Sequence, residues 1–264
     1  MKMRAISPIN AAMMLCLITF WGSSFVVVKV TLEEGMTPVG IATYRFLVAG
    51  GLFLAALALN KSRNRSYQLL VRRRDFPAFL LLGLLGVTFF FTAQYTGIQM
   101  AGASIAAIFV CLLSPILITV FSARMFKERL GQKGILGIGI AAVGTLTVIV
   151  GGTMSIQGSN MTFLLGSSIL LLTPFMWAAY TLIGKKIMEM YDPFLVVAYT
   201  SILGGLCLVP ISLAQHSLQE AYAMNVNAWL AVLYLAFFCS LVGYFIWFHV
   251  ISQVKASVAS SFMF

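Results

Sequence analysis

The sequence predicts an all-α membrane protein on a ten-helix plan, made of two inverted five-helix repeats and cut off after the start of helix nine. Three observations predict it. The chain is 61% hydrophobic and only 9% charged, where a soluble domain carries about 25% charged residues, so water would not solvate its surface. Its apolar residues run on in blocks of about 20, the length that crosses a bilayer as a helix. The second half repeats features of the first at a nearly constant offset. Hydrocarbon offers no partners to a bare backbone, so spanning structures are helices or closed barrels. Continuous rather than alternating apolar runs select helices.

The first segment, Asn10–Val30, follows Lys2 and Arg4. It is long enough to span and similar runs follow it, so it reads as a transmembrane helix and not a signal peptide. Pro38 opens the second segment, Pro38–Leu59, and Phe76–Tyr95, Ala103–Phe126 and Gly134–Val150 follow. The second half runs through Leu164–Gly184, Pro193–Ala214 and Ala228–Phe248, and a ninth segment begins at Ala256. The two repeats are bounded at 10–150 and 164–264.

Orientation follows the basic residues, which collect on the cytoplasmic side. With the N-terminus inside, the inner stretches hold Lys2, Arg4, Lys61, Arg63, Arg65, Arg72 to Arg74, Arg124, Lys127, Arg129, Lys133, Lys185, Lys186 and Lys255. That is fifteen of the seventeen, and the opposite orientation inverts the ratio. The net charge of +10 is therefore a topology signal and not a nucleic-acid footprint. Cys16, Cys111, Cys207 and Cys239 all lie in apolar runs and read as small buried hydrophobes, with no disulfide framework and no metal spacing.

The internal repeat carries the architecture. Trp21-Gly-Ser-Ser-Phe-Val-Val-Val-Lys29 matches Trp177-Ala-Ala-Tyr-Thr-Leu-Ile-Gly-Lys185, and Pro38 matches Pro193. Gly50-Gly51 matches Gly204-Gly205, and Ala103-Ser-Ile-Ala-Ala-Ile-Phe109 matches Ala256-Ser-Val-Ala-Ser-Ser-Phe262. Segments one and six correspond, so the unit holds five helices. An odd unit re-enters from the opposite face, the inverted repeat of many secondary transporters. The same offset sets the end of the second copy beyond Phe264, with most of helix nine and all of helix ten outside the sequence.

These features resemble the EamA family of the drug/metabolite transporter superfamily. The resemblance rests on the five-plus-five plan, Trp21-Gly-Ser-Ser-Phe, Tyr44-Arg45-Phe46, Ala103-Ser-Ile-Ala-Ala, Pro115 within segment four and Lys127-Glu128-Arg129 at its inner end. It implies a prokaryotic inner-membrane, multi-pass carrier that exports amino acids, related metabolites or drugs. It also implies a cavity between the halves, lined mainly by helices one, three, four, six, eight and nine. A Glu-Pro pair common in helix nine of the family would stand beyond the end of this sequence.

Few residues here carry chemistry. Arg45 lies about 10 Å into its helix, counted at 1.5 Å per residue from Pro38. A charge at that depth is costly. It holds a substrate carboxylate or phosphate, or it is an interhelical hub or snorkelling anchor. Trp21 and Ser24 share a helix face, and Trp177 and Tyr180 are their counterparts. They form aromatic walls around a substrate or pack between helices. Gln94 and Tyr244 close the same argument in segments three and eight, since buried amides need partners. Lys29 and Lys185 occupy matching helix ends, as interface anchors or as a pair of gate residues.

The expected function is transport of a small metabolite by alternating access, with the lipid bilayer and a small-molecule substrate as partners and a homodimer left open. No cofactor, metal or nucleic acid is expected. All seven acids (Glu33, Glu34, Asp75, Glu128, Glu189, Asp192 and Glu220) fall at helix ends or in loops, so this stretch gives no carboxylate for ion coupling. A non-transporting scaffold or sensor is the alternative. An intramembrane enzyme is disfavoured, since only His216 and His249 are available and both lie near surfaces.

Overall fold

The computed structural model describes residues 6–126 and 161–263, with positions 136, 137, 139, 140, 143, 144 and 147 between them. Among the described residues the chain is helical, with no strand, and seven helices are long and apolar enough to cross a membrane. They are α1 (Pro8–Glu33), α2 (Pro38–Arg63), α3 (Phe76–Ala101), α4 (Ala103–Met125), α5 (Met161–Ile187), α6 (Pro193–Ala214) and α7 (Val226–Gln253). A short α8 (Ala256–Ser260) stands where the ninth segment was expected to begin. The predicted segment Gly134–Val150 falls largely outside the described residues, and those of its positions that are described are helical. Several helices run past their predicted limits. In α3 this adds Thr96 to Ala101.

Local chemistry sets where the helices start. Proline sits in the first turn of α1, α2, α3 and α6, where a missing N–H costs nothing. The side chains before three of them cap the free amides. Ser7 accepts from Asn10 N at 3.2 Å, Thr37 from Gly40 N at 3.0 Å, and Asp192 from Phe194 N at 3.0 Å. Asn225 does the same for α7 through Ala228 N at 2.8 Å. Gly102, at φ 93°, turns the chain from α3 into α4 in a single residue, a conformation that favours glycine.

Proline inside a span would leave a carbonyl unpaired in hydrocarbon. In α5, Pro174 cannot donate to Leu170, and the hydroxyl of Thr173 donates to that carbonyl instead at 2.7 Å. In α4, Pro115 follows a π-helical stretch, Phe109–Leu113, whose wider turn gives its ring room. Two further π stretches interrupt α3 at Leu84–Thr88 and α7 at Leu235–Val242.

Small residues let the helices close on one another, as expected where lipid and side chain are equally apolar. At the α3–α6 crossing a Cβ on Gly83 would stand 2.8 Å from Gly204 N, and one on Gly204 would stand 2.6 Å from Gly83 O. Thr88 seals the same crossing by donating to Gly204 O at 2.9 Å. Along α3–α5, Gly97 accommodates Leu170, and Gly166 accommodates Met100. Helix α3 thus lies at the centre, against α2, α5 and α6, while α1 packs on α4 and α7.

Three changes test this packing by thermal unfolding in detergent. Gly83→Ala puts a methyl against a backbone that cannot yield, and should cost about 1–3 kcal/mol. Gly51→Ala, which meets nothing within 4 Å, should leave the melting temperature unchanged or raise it. Thr173→Val leaves the Leu170 carbonyl without its donor and should cost about 0.5–1.5 kcal/mol. A melting temperature for Gly83→Ala equal to that of Gly51→Ala would contradict the close crossing.

Candidate functional site

The site is built from the middle and far turns of α1 and from helices that surround it. Trp21 is the hub. Its ring meets Trp177 edge-on at 5.2 Å between centroids, Tyr244 at 6.0 Å and Trp247 at 5.6 Å. Its indole N–H donates to the carbonyl of Cys239 at 3.0 Å, within the π stretch of α7. Trp177 in turn contacts Phe90 at 5.3 Å, Tyr180 at 5.3 Å and Tyr244 at 5.7 Å. Such ring pairs each add about 0.5–1.5 kcal/mol beyond their burial, so the cluster is a rigid wall.

That wall bounds a cavity of about 50 Å³ lined by Trp21, Ser24, Phe25, Arg45, Phe90, Phe91, Gln94, Val110, Cys111, Trp177, Tyr244 and Met263. The mix of aromatic walls with few polar groups is that of a small-molecule site. Six of the seven residues predicted to form a binding cavity meet here. The seventh, Tyr180, stands one layer behind, buried against Trp177, Tyr244 and Phe248, with its hydroxyl 3.3 Å from Thr200 Oγ1. The lining helices are α1, α3, α4, α5 and α7, plus the residue after α8's last turns, Met263. Helix α2 joins them through Arg45, a wall that the family resemblance did not imply.

Arg45 is buried at 2% exposure. Its Nε donates to Ser240 Oγ at 2.7 Å and its Nη1 donates to the Tyr95 hydroxyl. Its guanidinium lies over the Phe91 ring at 4.4 Å and near Phe46 at 5.2 Å. It is therefore held as a hub and also presented to the cavity, and it does not snorkel outward. Gln94 is 6% exposed and its side chain lines the cavity. The indole N–H of Trp177 is buried without a hydrogen-bond partner among the described residues. Ser24 spends its proton on the Trp21 carbonyl at 2.6 Å, which leaves its oxygen as an acceptor.

The two lysines part company. Lys29 is 57% exposed and pairs with Glu33 at 3.7 Å one turn on, a surface contact worth little. Lys185 is buried and turns inward. It donates to the carbonyl of Val254 at 2.6 Å, just past the end of α7, and lies 5.5 Å from the Phe126 ring. A cation at a helix C-terminus satisfies carbonyls that the helix itself leaves unpaired. Lys185 is thus no outward anchor, and the pair is not symmetric in its contacts.

Sequence reasoning reads Tyr95, which holds Arg45, as a packing residue at the end of segment three, and it does not single out Ser240, Phe90 or Phe91. A signal existed for the phenylalanines. Phe90 stands one helical turn before Gln94, and Phe91 one turn before Tyr95, so the polar residues mark the face that turns from lipid. Ser240 carried no such mark, since its reach depends on the π stretch of α7.

Comparison with known proteins agrees with this architecture. The model of the EamA-like transporter family matches residues 9–150 and 164–264. The uncharacterized transporter YyaM of Bacillus subtilis is 27% identical over 249 residues, covering 92% of this chain and 77% of that protein. A Salmonella typhimurium protein named "Probable amino-acid metabolite efflux pump" is 30% identical over 252 residues, covering 88% of this chain and 75% of its own. A crystal structure sharing 16% sequence identity has the same fold, with a TM-score of 0.66 over 96% of this chain and 84% of the other. Spanning helices, fold and relatives agree, and this multi-pass membrane chain is a member of the EamA-like transporter family.

Proposed function

We propose that the chain exports small amphipathic metabolites, of the amino-acid kind or related to it, by alternating access at the aromatic cavity. Two five-helix repeats, 10–150 and 164–264, threaded in opposite senses, would move about it. The observation that carries this reading is the convergence of Trp21, Arg45, Gln94, Trp177 and Tyr244 on one cavity inside a bundle of membrane-spanning helices. The relatives' names support it, and one of them is named as an efflux pump.

The N-inside orientation gives the cavity a direction. It then lies in the outer half of the bundle, because Arg45 is near the start of α2 and Gln94 near the end of α3. On the inner side Tyr180, Trp247 and Phe248 are fully buried, with Phe248 seated against Gly184. Trp247 donates to Thr181 Oγ1 at 3.3 Å there. This aromatic floor closes the inner route, and its separation would open it.

Purified protein in liposomes tests the proposal. Counterflow assays over a panel of amino acids, acylated amino acids, aromatic acids and cationic drugs should show uptake of at least one compound above protein-free vesicles. Trp177→Ala should lower its initial rate at least tenfold, while Gly51→Ala leaves it unchanged. Folded protein that moves no member of the panel would overturn the proposal.

A further inference from the structure

We propose that Tyr44 and Tyr199 are matched clamps that brace α2 and α6 into one frame, which stays fixed while the cavity walls move against it. This rests on the transport reading above and names the part of the chain that holds still. Each tyrosine stands seven residues past the cap of its helix, Tyr44 past Thr37 and Tyr199 past Asp192. The Tyr44 hydroxyl donates to the carbonyl of Leu218 at 2.6 Å, in the link that leads into α7. The Tyr199 hydroxyl donates to the carbonyl of Leu69 at 2.8 Å, in the link that leads into α3. The rings repeat the match. Tyr44 meets Trp229 at 5.6 Å between centroids and 64° between planes, and Tyr199 meets Phe79 at 5.7 Å and 66°. Trp229 and Phe79 are each the fourth residue of the helix that the clamped link opens.

The clamps sit at opposite ends of one packed pair. Helices α2 and α6 run antiparallel, with Phe46 against Gly205, Gly50 against Ile202 and Phe53 against Phe194. A Cβ on Gly205 would stand 3.1 Å from the Phe46 carbonyl oxygen, so the pair is too close to slide freely. A tie at each end of such a pair resists shear and rotation, where a single tie would leave a pivot. Further bonds thicken both. Thr37 donates through its N–H to Glu220 Oε2 at 3.1 Å and through its hydroxyl to Ser217 at 2.9 Å. At the other end the Tyr191 hydroxyl donates to Asp75 Oδ2 at 2.6 Å, and that of Tyr67 to Asp192 Oδ1 at 3.0 Å. Past their clamped first turns, α3 and α7 each run through a π stretch, Leu84–Thr88 and Leu235–Val242. Only then do they reach their cavity residues, Phe90, Phe91 and Gln94 in one and Tyr244 in the other. Helices bend at such turns. The first segment of each helix therefore belongs to the frame, and the segment beyond the π stretch swings on it.

Two experiments on the full chain test this. A Cβ on Gly50 would lie 3.9 Å from Cα of Ile202, within reach of a disulfide. The double variant Gly50→Cys/Ile202→Cys, oxidised in liposomes and its bond confirmed by peptide mass spectrometry, should transport within twofold of its reduced form, with oxidised wild type as the control. Transport lost on oxidation and regained on reduction would overturn the fixed frame. The clamp is read separately in detergent, by limited trypsin cleavage of the link 64–75, where Arg65, Arg72, Arg73 and Arg74 are exposed. Tyr199→Phe removes only the hydroxyl and should speed that cleavage at least threefold, whereas Tyr44→Phe, at the far end, should leave it unchanged. Equal cleavage of wild type and Tyr199→Phe would overturn the clamp, and this arm stands even if the cysteine pair does not fold. Failure of either arm sinks the frame alone, whereas wild-type protein that moves no compound sinks the transport reading beneath it.

Discussion

In hydrocarbon, a backbone carbonyl or amide without a partner costs several kcal/mol, and no water is at hand to supply one. The bundle depends on meeting that constraint everywhere, including where its helices are irregular. Thr173 replaces the bond that Pro174 cannot make. The π stretches leave carbonyls out of register, and side chains from other helices take them up. Cys239 O receives the Trp21 indole, and Gly86 O receives a long bond from the Tyr244 hydroxyl at 3.4 Å. The irregular turn of α4 lines the cavity through Val110 and Cys111, and those of α3 and α7 end two residues before Phe90 and Tyr244 in its wall. The site is therefore not carved out of a regular bundle. Its aromatic walls are fastened to the backbone groups that the irregular turns release.

The same logic places the charge. A guanidinium is more weakly hydrated than an ammonium and stacks on rings, so Arg45 can sit between Phe46 and Phe91 where a lysine would lose both contacts. Tyr95 and Ser240 fix its direction from α3 and α7. Three helices are thus tied at one cation. That tie accounts for a structural role and a ligand-facing role in one residue, the two readings that its depth in the helix alone left open.

Much of the fold was legible because membrane length and proline position are one-dimensional signals. Seven described spans coincide with predicted segments, and Pro38 and Pro193 open helices as read. The site was legible as far as single residues betray themselves: a deep arginine, a mid-helix tryptophan, a glutamine in an apolar run. Partners were not legible. Arg45 lies 50 residues from Tyr95 and 195 from Ser240 in sequence, and their meeting is a property of packing. Lys185 shows the same limit, because its carbonyl partner appears only where the end of α7 comes to rest beside α5.

The central claim is that Trp21, Arg45, Gln94 and Trp177 enclose a space that water and solutes enter, deep in the membrane. Cys111 lines that space, whereas Cys239 is fully buried behind it. Single-cysteine proteins retaining one or the other, treated in sealed vesicles with a membrane-impermeant maleimide, measure the difference directly. The account predicts that Cys111 is alkylated, and that a transported substrate slows the reaction. Cys111 as unreactive as Cys239, from both faces of the membrane, would contradict it.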